Sequence, residues 1–283
     1  MMTLKVTRWT LLQRRCVMVQ LAVATFSSML CGCVTLEFPV RNILTTPEEI
    51  ELGRELVAEI EAKETVLDDA AMQAYVQHIG RRIATVSPRQ DVAYTFKVID
   101  NPDTVNAFAL PGGFVYVYTG LMKLCTNEAE LAAVIAHEIG HVAGHHHGEM
   151  LTRVYRAELT RDFILELLGK DTDKNLQLLA DVILTGGAMH FSRQNEWEAD
   201  QLGIHFLFNG GYRPEAMLSF MQKMLEEERR RGGVWLPIFS SHPRTADRLE
   251  RLNALAMQYP PDQRAARALH PDRYEKEVLR KLK

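Results

Sequence analysis

Apolar residues recur every three or four positions through most of this chain, the rhythm of helices that bury one face. A helix is predicted over 47–63. It is opened by Thr46-Pro47-Glu48-Glu49, which offers a capping hydroxyl, a proline at the first helical position and acids at the positive end of the helix dipole. A second runs over 68–86, from Asp68-Asp69 to Ser87-Pro88. The rhythm then changes to alternation over 92–99, which predicts a strand. Val105 to Leu110 and Phe114 to Tyr118 flank a Pro111-Gly112-Gly113 turn and read as a hairpin. Helices are predicted again over 120–124, 127–147, 149–168, 174–190, 193–209, 213–228 and 243–257. Residues 259–283 are charged with only a weak helical rhythm. No internal repeat is found. A small sheet among many helices gives an α+β fold class.

The pattern differs at the N-terminus. Lys5, Arg8, Arg14 and Arg15 precede an apolar run from Cys16 to Cys31 that is too short for a comfortable membrane span. Residues 1–32 contain no acid and carry +4 of a net charge of −3, leaving −7 on the 251 residues that follow. This reads as a secretory signal. Its end, Leu30-Cys31-Gly32-Cys33, resembles a bacterial lipobox, which makes Cys33 the lipidated first residue of the mature chain. Val34 rather than Asp follows it, which by the same resemblance favours the outer membrane. Residues 33–46 form a tether. The four cysteines cannot staple a scaffold, since three lie before residue 34 and only Cys125 lies in the body. An acidic body gives no footprint for nucleic acid.

Candidate chemistry concentrates in His137-Glu138-Ile139-Gly140-His141. Histidines four apart share one helix face, so both imidazoles reach one ion. Glu138 adjoins the first and is placed to take a proton from a water activated by that ion. A third ligand is required, and the spacing leaves two candidates. His147 completes the pattern HExxHxxGxxH with Gly144, and Met257 stands as a distant methionine turn. Glu196 lies instead on the 193–209 helix with Asp200 one turn later, where a carboxylate completes a two-histidine, one-glutamate site. Asp200 can accept the second N–H of a ligand histidine.

Several ordered pieces resemble the M48 family of zinc metallopeptidases. They are Asn106-Ala107-Phe108-Ala109 before Pro111-Gly112-Gly113, then Val115 to Leu121, and Glu128 to Ala136 leading into the HExxH helix. Asn195-Glu196-xxx-Asp200 follows, and then Ser241-His242-Pro243 with Arg248. The resemblance implies a zincin-like domain over 47–258 whose sheet carries an edge strand by the active site, followed by a charged tail over 259–283. It implies one Zn2+ per chain held by His137, His141 and Glu196, with Glu138 catalytic and Asp200 supporting the ligands. His242 lies close to the zinc and can block it, and Arg248 lies beside the active site; both are expected among the catalytic groups. The turn Pro111, Gly112 and Gly113 is expected to help bind a peptide added as an extra strand. His145 and His146 are expected to be solvated, Cys125 buried, and Gly186-Gly187 a hinge for a lid.

The family and the lipobox together imply an envelope endopeptidase on the outer membrane facing the periplasm. It would act on misfolded or misassembled proteins, with envelope assembly machinery as a further partner. An assembly factor or chaperone with latent proteolysis is the alternative.

Overall fold

The computed structural model describes residues 44–158, 172–185, 191–233, 236–242 and 247–283, which all fall in one compact unit. The signal segment, Cys33, most of the tether and Gly186-Gly187 lie outside them.

Local chemistry starts the second helix as the sequence suggests, and the first one residue earlier: Thr45, not Thr46, is the cap. The Glu48 carboxylate accepts both the backbone N–H (2.7 Å) and the hydroxyl (2.8 Å) of Thr45 at the head of α1, Thr46–Lys63. Asp69 accepts from the N–H groups of Ala71 and Met72, both at 2.9 Å, at the head of α2, Ala70–Ala84. The strands are β1 (Thr95–Ile99), β2 (Ala107–Leu110) and β3 (Phe114–Tyr118). β3 is central, parallel to β1 and antiparallel to β2.

Alternation along the hairpin sorts side chains into two layers. Ala107, Ala109, Val115 and Val117 join the larger apolar core with α2 and the helices that follow. Phe108, Leu110, Tyr116 and Tyr118 face a smaller core with Leu52, Leu56 and Ile60 of α1 and Leu176 of a later helix.

The hairpin turn corrects one expectation. Gly112 (φ 78°) and Gly113 (φ 93°) adopt the left-handed region that glycine tolerates. A side chain at 112 would lie 2.6 Å from the Ile50 Cα of α1. Pro111, Gly112 and Gly113 are therefore buried, the first two under α1 and Gly113 against Val92 and Tyr94, and are not open to a peptide.

After β3 come α3 (Thr119–Leu124), α4 (Glu128–Ala143), α5 (His146–Glu158), α6 (Thr172–Thr185), α7 (Arg193–Asn209) and α8 (Glu215–Arg230). Short helices α9 (Ile238–Ser241), α10 (Arg248–Ala256), α11 (Pro261–Ala265) and α12 (Pro271–Tyr274) complete the described elements, with one π-turn over Glu275–Leu279. α4 is the axis of the fold. It is apolar on nearly every face, and all its residues but the last are buried.

Two further expectations are corrected. The helix predicted over 127–147 breaks at Gly144: His145 takes a left-handed conformation (φ 56°) and α5 restarts at His146. Glycine at 144 leaves the space that the His146 ring takes after the break, 2.3 Å from where a side chain would begin. The segment 259–283 is not an appended tail. Tyr274 and Val278 are fully buried, and the Tyr274 hydroxyl donates to the Met122 carbonyl at 2.8 Å. Arg273 pairs with Glu128 at the head of α4.

Candidate metal centre

Two helices bring the site together. Asn127 caps α4, accepting from the Glu130 N–H at 3.1 Å. Ser192 caps α7 by accepting from the Asn195 N–H at 3.1 Å, and the Asn195 amide reaches Glu149 of α5 at 2.8 Å. The helices cross antiparallel, with Gly203 against the His137 backbone and Gly140 against Ala199. A Cβ on Gly140 would lie 2.8 Å from the Ala199 carbonyl oxygen, so the missing side chain sets how closely the helices approach.

Across this crossing, His137 and His141 of α4 meet Glu196 of α7, and His242 enters from the end of α9. All four are buried, and their donor atoms lie within 4.8 Å of one another. The spacing is tight: His137 Nε2 to His141 Nε2 3.1 Å, His137 Nε2 to His242 Nδ1 3.2 Å, His141 Nε2 to Glu196 Oε1 3.3 Å, and His242 Nδ1 to Glu196 Oε1 2.9 Å. Four donors arranged tetrahedrally about an ion at zinc-like bond lengths stand about 3.3 Å apart. The donor set therefore fits a small divalent metal in both chemistry and size. His147 is not part of it. Its Nε2 donates to the Ala109 carbonyl of β2 at 2.9 Å, and burial lowers its pKa to about 4. Of the two candidates for third ligand, Glu196 stands with the histidines.

Behind the donors lies a second set of contacts. His137 Nδ1 is 3.0 Å from Asp200 Oδ1. Arg248 grips Asp200 through two bonds of 2.9 Å and reaches Glu196 Oε2 at 3.0 Å. Arg248 thus holds two carboxylates in place. Burial pushes Asp200 up, but Arg248 and His137 more than reverse it and keep the carboxyl ionised. His137 is pulled down by burial, yet Asp200 and Glu196 raise it to about 9. His141 is driven well below its ordinary value by burial. Glu138 is raised, again by burial, with its Oε1 3.5 Å from His242 Nε2 and the Ala109 N–H directed at its carboxylate.

Asn106 and Tyr118 form a hydrogen-bonded pair across β2 and β3, so the ladder's alternation turns the N–H and C=O of Ala109 away from β3. β2 is thus the edge of the sheet beside Glu138, but it is buried, and Ala109 commits its carbonyl to His147 and its N–H to Glu138. On its other side the site opens into an apolar pocket with walls of Val134, Met217, Phe220, Met221, Met224 and Phe239.

Two neighbours of the ligands escaped the sequence reading. Phe191 stacks on His141 with ring centroids 3.8 Å apart. His146, expected in solvent, is fully buried against His141. The Gly144 that breaks the helix was the available signal for it.

An HExxH helix crossed by a carboxylate-bearing helix beside an antiparallel edge strand is the construction of a metallopeptidase. The family comparison agrees, with the model for peptidase family M48 matching residues 70–256. The chain belongs to peptidase family M48. It is 31% identical over 194 residues to the beta-barrel assembly-enhancing protease of Escherichia coli (strain K12), covering 66% of this chain and 40% of that protein. A putative beta-barrel assembly-enhancing protease of Vibrio cholerae is 29% identical over 229 residues, 78% of this chain and 46% of the relative. The mitochondrial metalloendopeptidase OMA1 of Schizosaccharomyces pombe is 32% identical over 178 residues, 63% and 51% respectively. The chain spans about half the length, or less, of these relatives. No helix among the described residues is long and apolar enough to cross a membrane.

Proposed function

We propose that this chain is a zinc endopeptidase of the bacterial envelope that cleaves unfolded or misassembled envelope proteins. The observation that carries the reading is the convergence of His137, His141, Glu196 and His242 with the Glu138 carboxylate alongside. His137, His141 and Glu196 would hold the zinc, with His242 as a fourth donor. When bound, zinc supplies Lewis acidity that polarises a peptide carbonyl and acidifies a water. Glu138 then takes the proton of the attacking water and returns it to the leaving amine. Its burial suits this work, because desolvation raises its pKa and so makes it a better proton acceptor than an exposed carboxylate. The methionine-lined pocket receives a large apolar side chain beside the scissile bond. Such side chains are exposed in unfolded chains and hidden in folded ones, which supports quality control as the task.

Envelope location draws on the bacterial relatives and on the lipobox, with Cys33 as the anchoring residue and the outer membrane as the site. The printed names of those relatives also favour a second reading, assistance to β-barrel assembly with proteolysis secondary. Glu138→Gln separates the two. Hydrolysis of a quenched fluorescent peptide should fall by a factor of about 10² to 10⁴ while metal content stays at one ion per chain. In cells, the same variant should reproduce the phenotypes of deleting the gene. Full complementation by Glu138→Gln would establish the assembly role instead.

A further inference from the structure

The two histidine ligands are held from behind by different chemistry. His137 directs its Nδ1 at a carboxylate, Asp200, which Arg248 neutralises. His141 directs its Nδ1 at another imidazole: His146 Nδ1 lies 3.0 Å away, and both rings have no solvent exposure. Two ring nitrogens at that distance repel if neither carries a proton and attract if one does. The other nitrogen of His141, Nε2, faces His137 and Glu196 within the donor group. For Nε2 to be an unprotonated ligand, Nδ1 must carry the proton, and His146 Nδ1 must accept it. The remaining proton of His146 then sits on Nε2, which lies 3.6 Å from the half-exposed carboxylate of Glu198.

The backbone is shaped to make this contact. The ring of His146 fills the space that a side chain on Gly144 would occupy. The left-handed His145 turns the chain so that α5 begins with His146 beneath the last turn of α4. The imidazoles meet edge to face, at 77° with centroids 5.0 Å apart, which directs a nitrogen of one ring at the other rather than stacking the two.

We infer that His146 is a positioning residue for the metal, fixing the tautomer and orientation of His141 through an Nδ1–H···Nδ1 bond, with Glu198 biasing the proton on its far side. The inference rests on the reading of the four-donor group as a zinc site. It places the support of the second ligand on a residue outside the HExxH motif.

The test uses the full chain and reads metal binding rather than turnover. The dissociation constants for Zn2+ and Co2+ are measured by competition with a chromogenic chelator, and the visible spectrum of the Co2+ form is recorded. In asparagine the side-chain oxygen falls near the position of a histidine Nδ1, and in glutamine near Nε2. His146→Asn is expected to bind within about threefold of wild type with an unchanged cobalt spectrum. His146→Gln is expected to bind 10- to 100-fold more weakly, the range found when the partner of a ligand histidine is lost. Equal affinities for the two variants, or the reverse order, overturn the inference, because a residue that only fills space would not discriminate where the oxygen lies. Glu198→Ala, a surface change that leaves folding intact, is expected to weaken binding two- to fivefold with a shifted cobalt spectrum. No change in either observable removes Glu198 from the relay. Wild-type protein without stoichiometric metal would overturn both this inference and the zinc reading. Metal-loaded wild type with inactive Glu138→Gln preserves the zinc reading whatever His146 does.

Discussion

His242 closes the donor group, and a closed four-donor set is the chemistry of a structural site. A catalytic ion keeps one position open for water or substrate. His242 also faces Glu138, so one imidazole stands between the metal position and the base that must act there. Removing it should open the site. His242→Ala is expected to raise the steady-state rate on a short peptide severalfold at an unchanged zinc stoichiometry of one. A large fall in kcat would instead make His242 a group that touches the substrate. The HExxH pair was legible in the sequence from helical spacing, since four residues apart is one face; Glu196 with Asp200 was one of two candidates that spacing left open, and the resemblance to the M48 family chose it over His147. For His146 the one signal was the glycine at 144, which does not by itself place the ring. Its place depends on a left-handed residue at 145, a conformation that a run of three histidines does not signal.

Elements are held at the site by their ends and by their crossing. Replacing a helix-interior glycine with alanine ordinarily gains about 1 kcal/mol of helix propensity. At Gly140 the sign should reverse. The new methyl meets the Ala199 backbone, which cannot swing aside, and overpacking of this kind costs about 1–3 kcal/mol. Gly140→Ala should therefore lower Tm and weaken metal binding together; a rise in Tm would show that the crossing has slack. The other end of α4 is anchored by Glu128, which accepts from the hydroxyls of Tyr75 and Tyr212 at 2.6 Å each and pairs with Arg273. Burial alone would raise its pKa, but these three partners lower it below the ordinary 4.5. A carboxyl depressed in the folded state contributes stability above its unfolded pKa and loses it as pH falls through the folded value. Glu128→Gln should thus destabilise by about 2 kcal/mol at neutral pH. The gap to wild type should shrink as pH drops below about 4.5, which urea titrations at several pH values would measure. A gap independent of pH would mean that the Glu128 charge is not the source. This anchor was hidden in the sequence, where 259–283 showed charge without rhythm. Residues such as Tyr274 and Val278 are buried by partners more than a hundred positions away, and no local pattern reports that.

At the scale of the whole molecule, the sequence made the α+β class and the hairpin plain, because the change from helical to alternating rhythm is a local signal. The burial of the Pro111-Gly112-Gly113 turn was not plain, since it depends on how α1 packs on the turn and no local pattern reports that. Cys33 gives the prediction at this scale. Wild-type cells fed labelled palmitate should yield a labelled, membrane-sedimenting protein, and Cys33→Ala an unlabelled, released one. Label persisting in Cys33→Ala would move the anchor elsewhere.

The crossing of α4 and α7 has a last consequence. The ligands it unites stand at 137, 141 and 196, so an unfolded copy of the chain holds two histidines in one segment and the glutamate far along another. Metal sites of this kind do not survive unfolding. A protease that attacks unfolded chains is always among its own possible victims. On the proposed function, a copy that has lost its fold has also lost its blade, so damaged molecules would drop out as attackers at the moment they become prey.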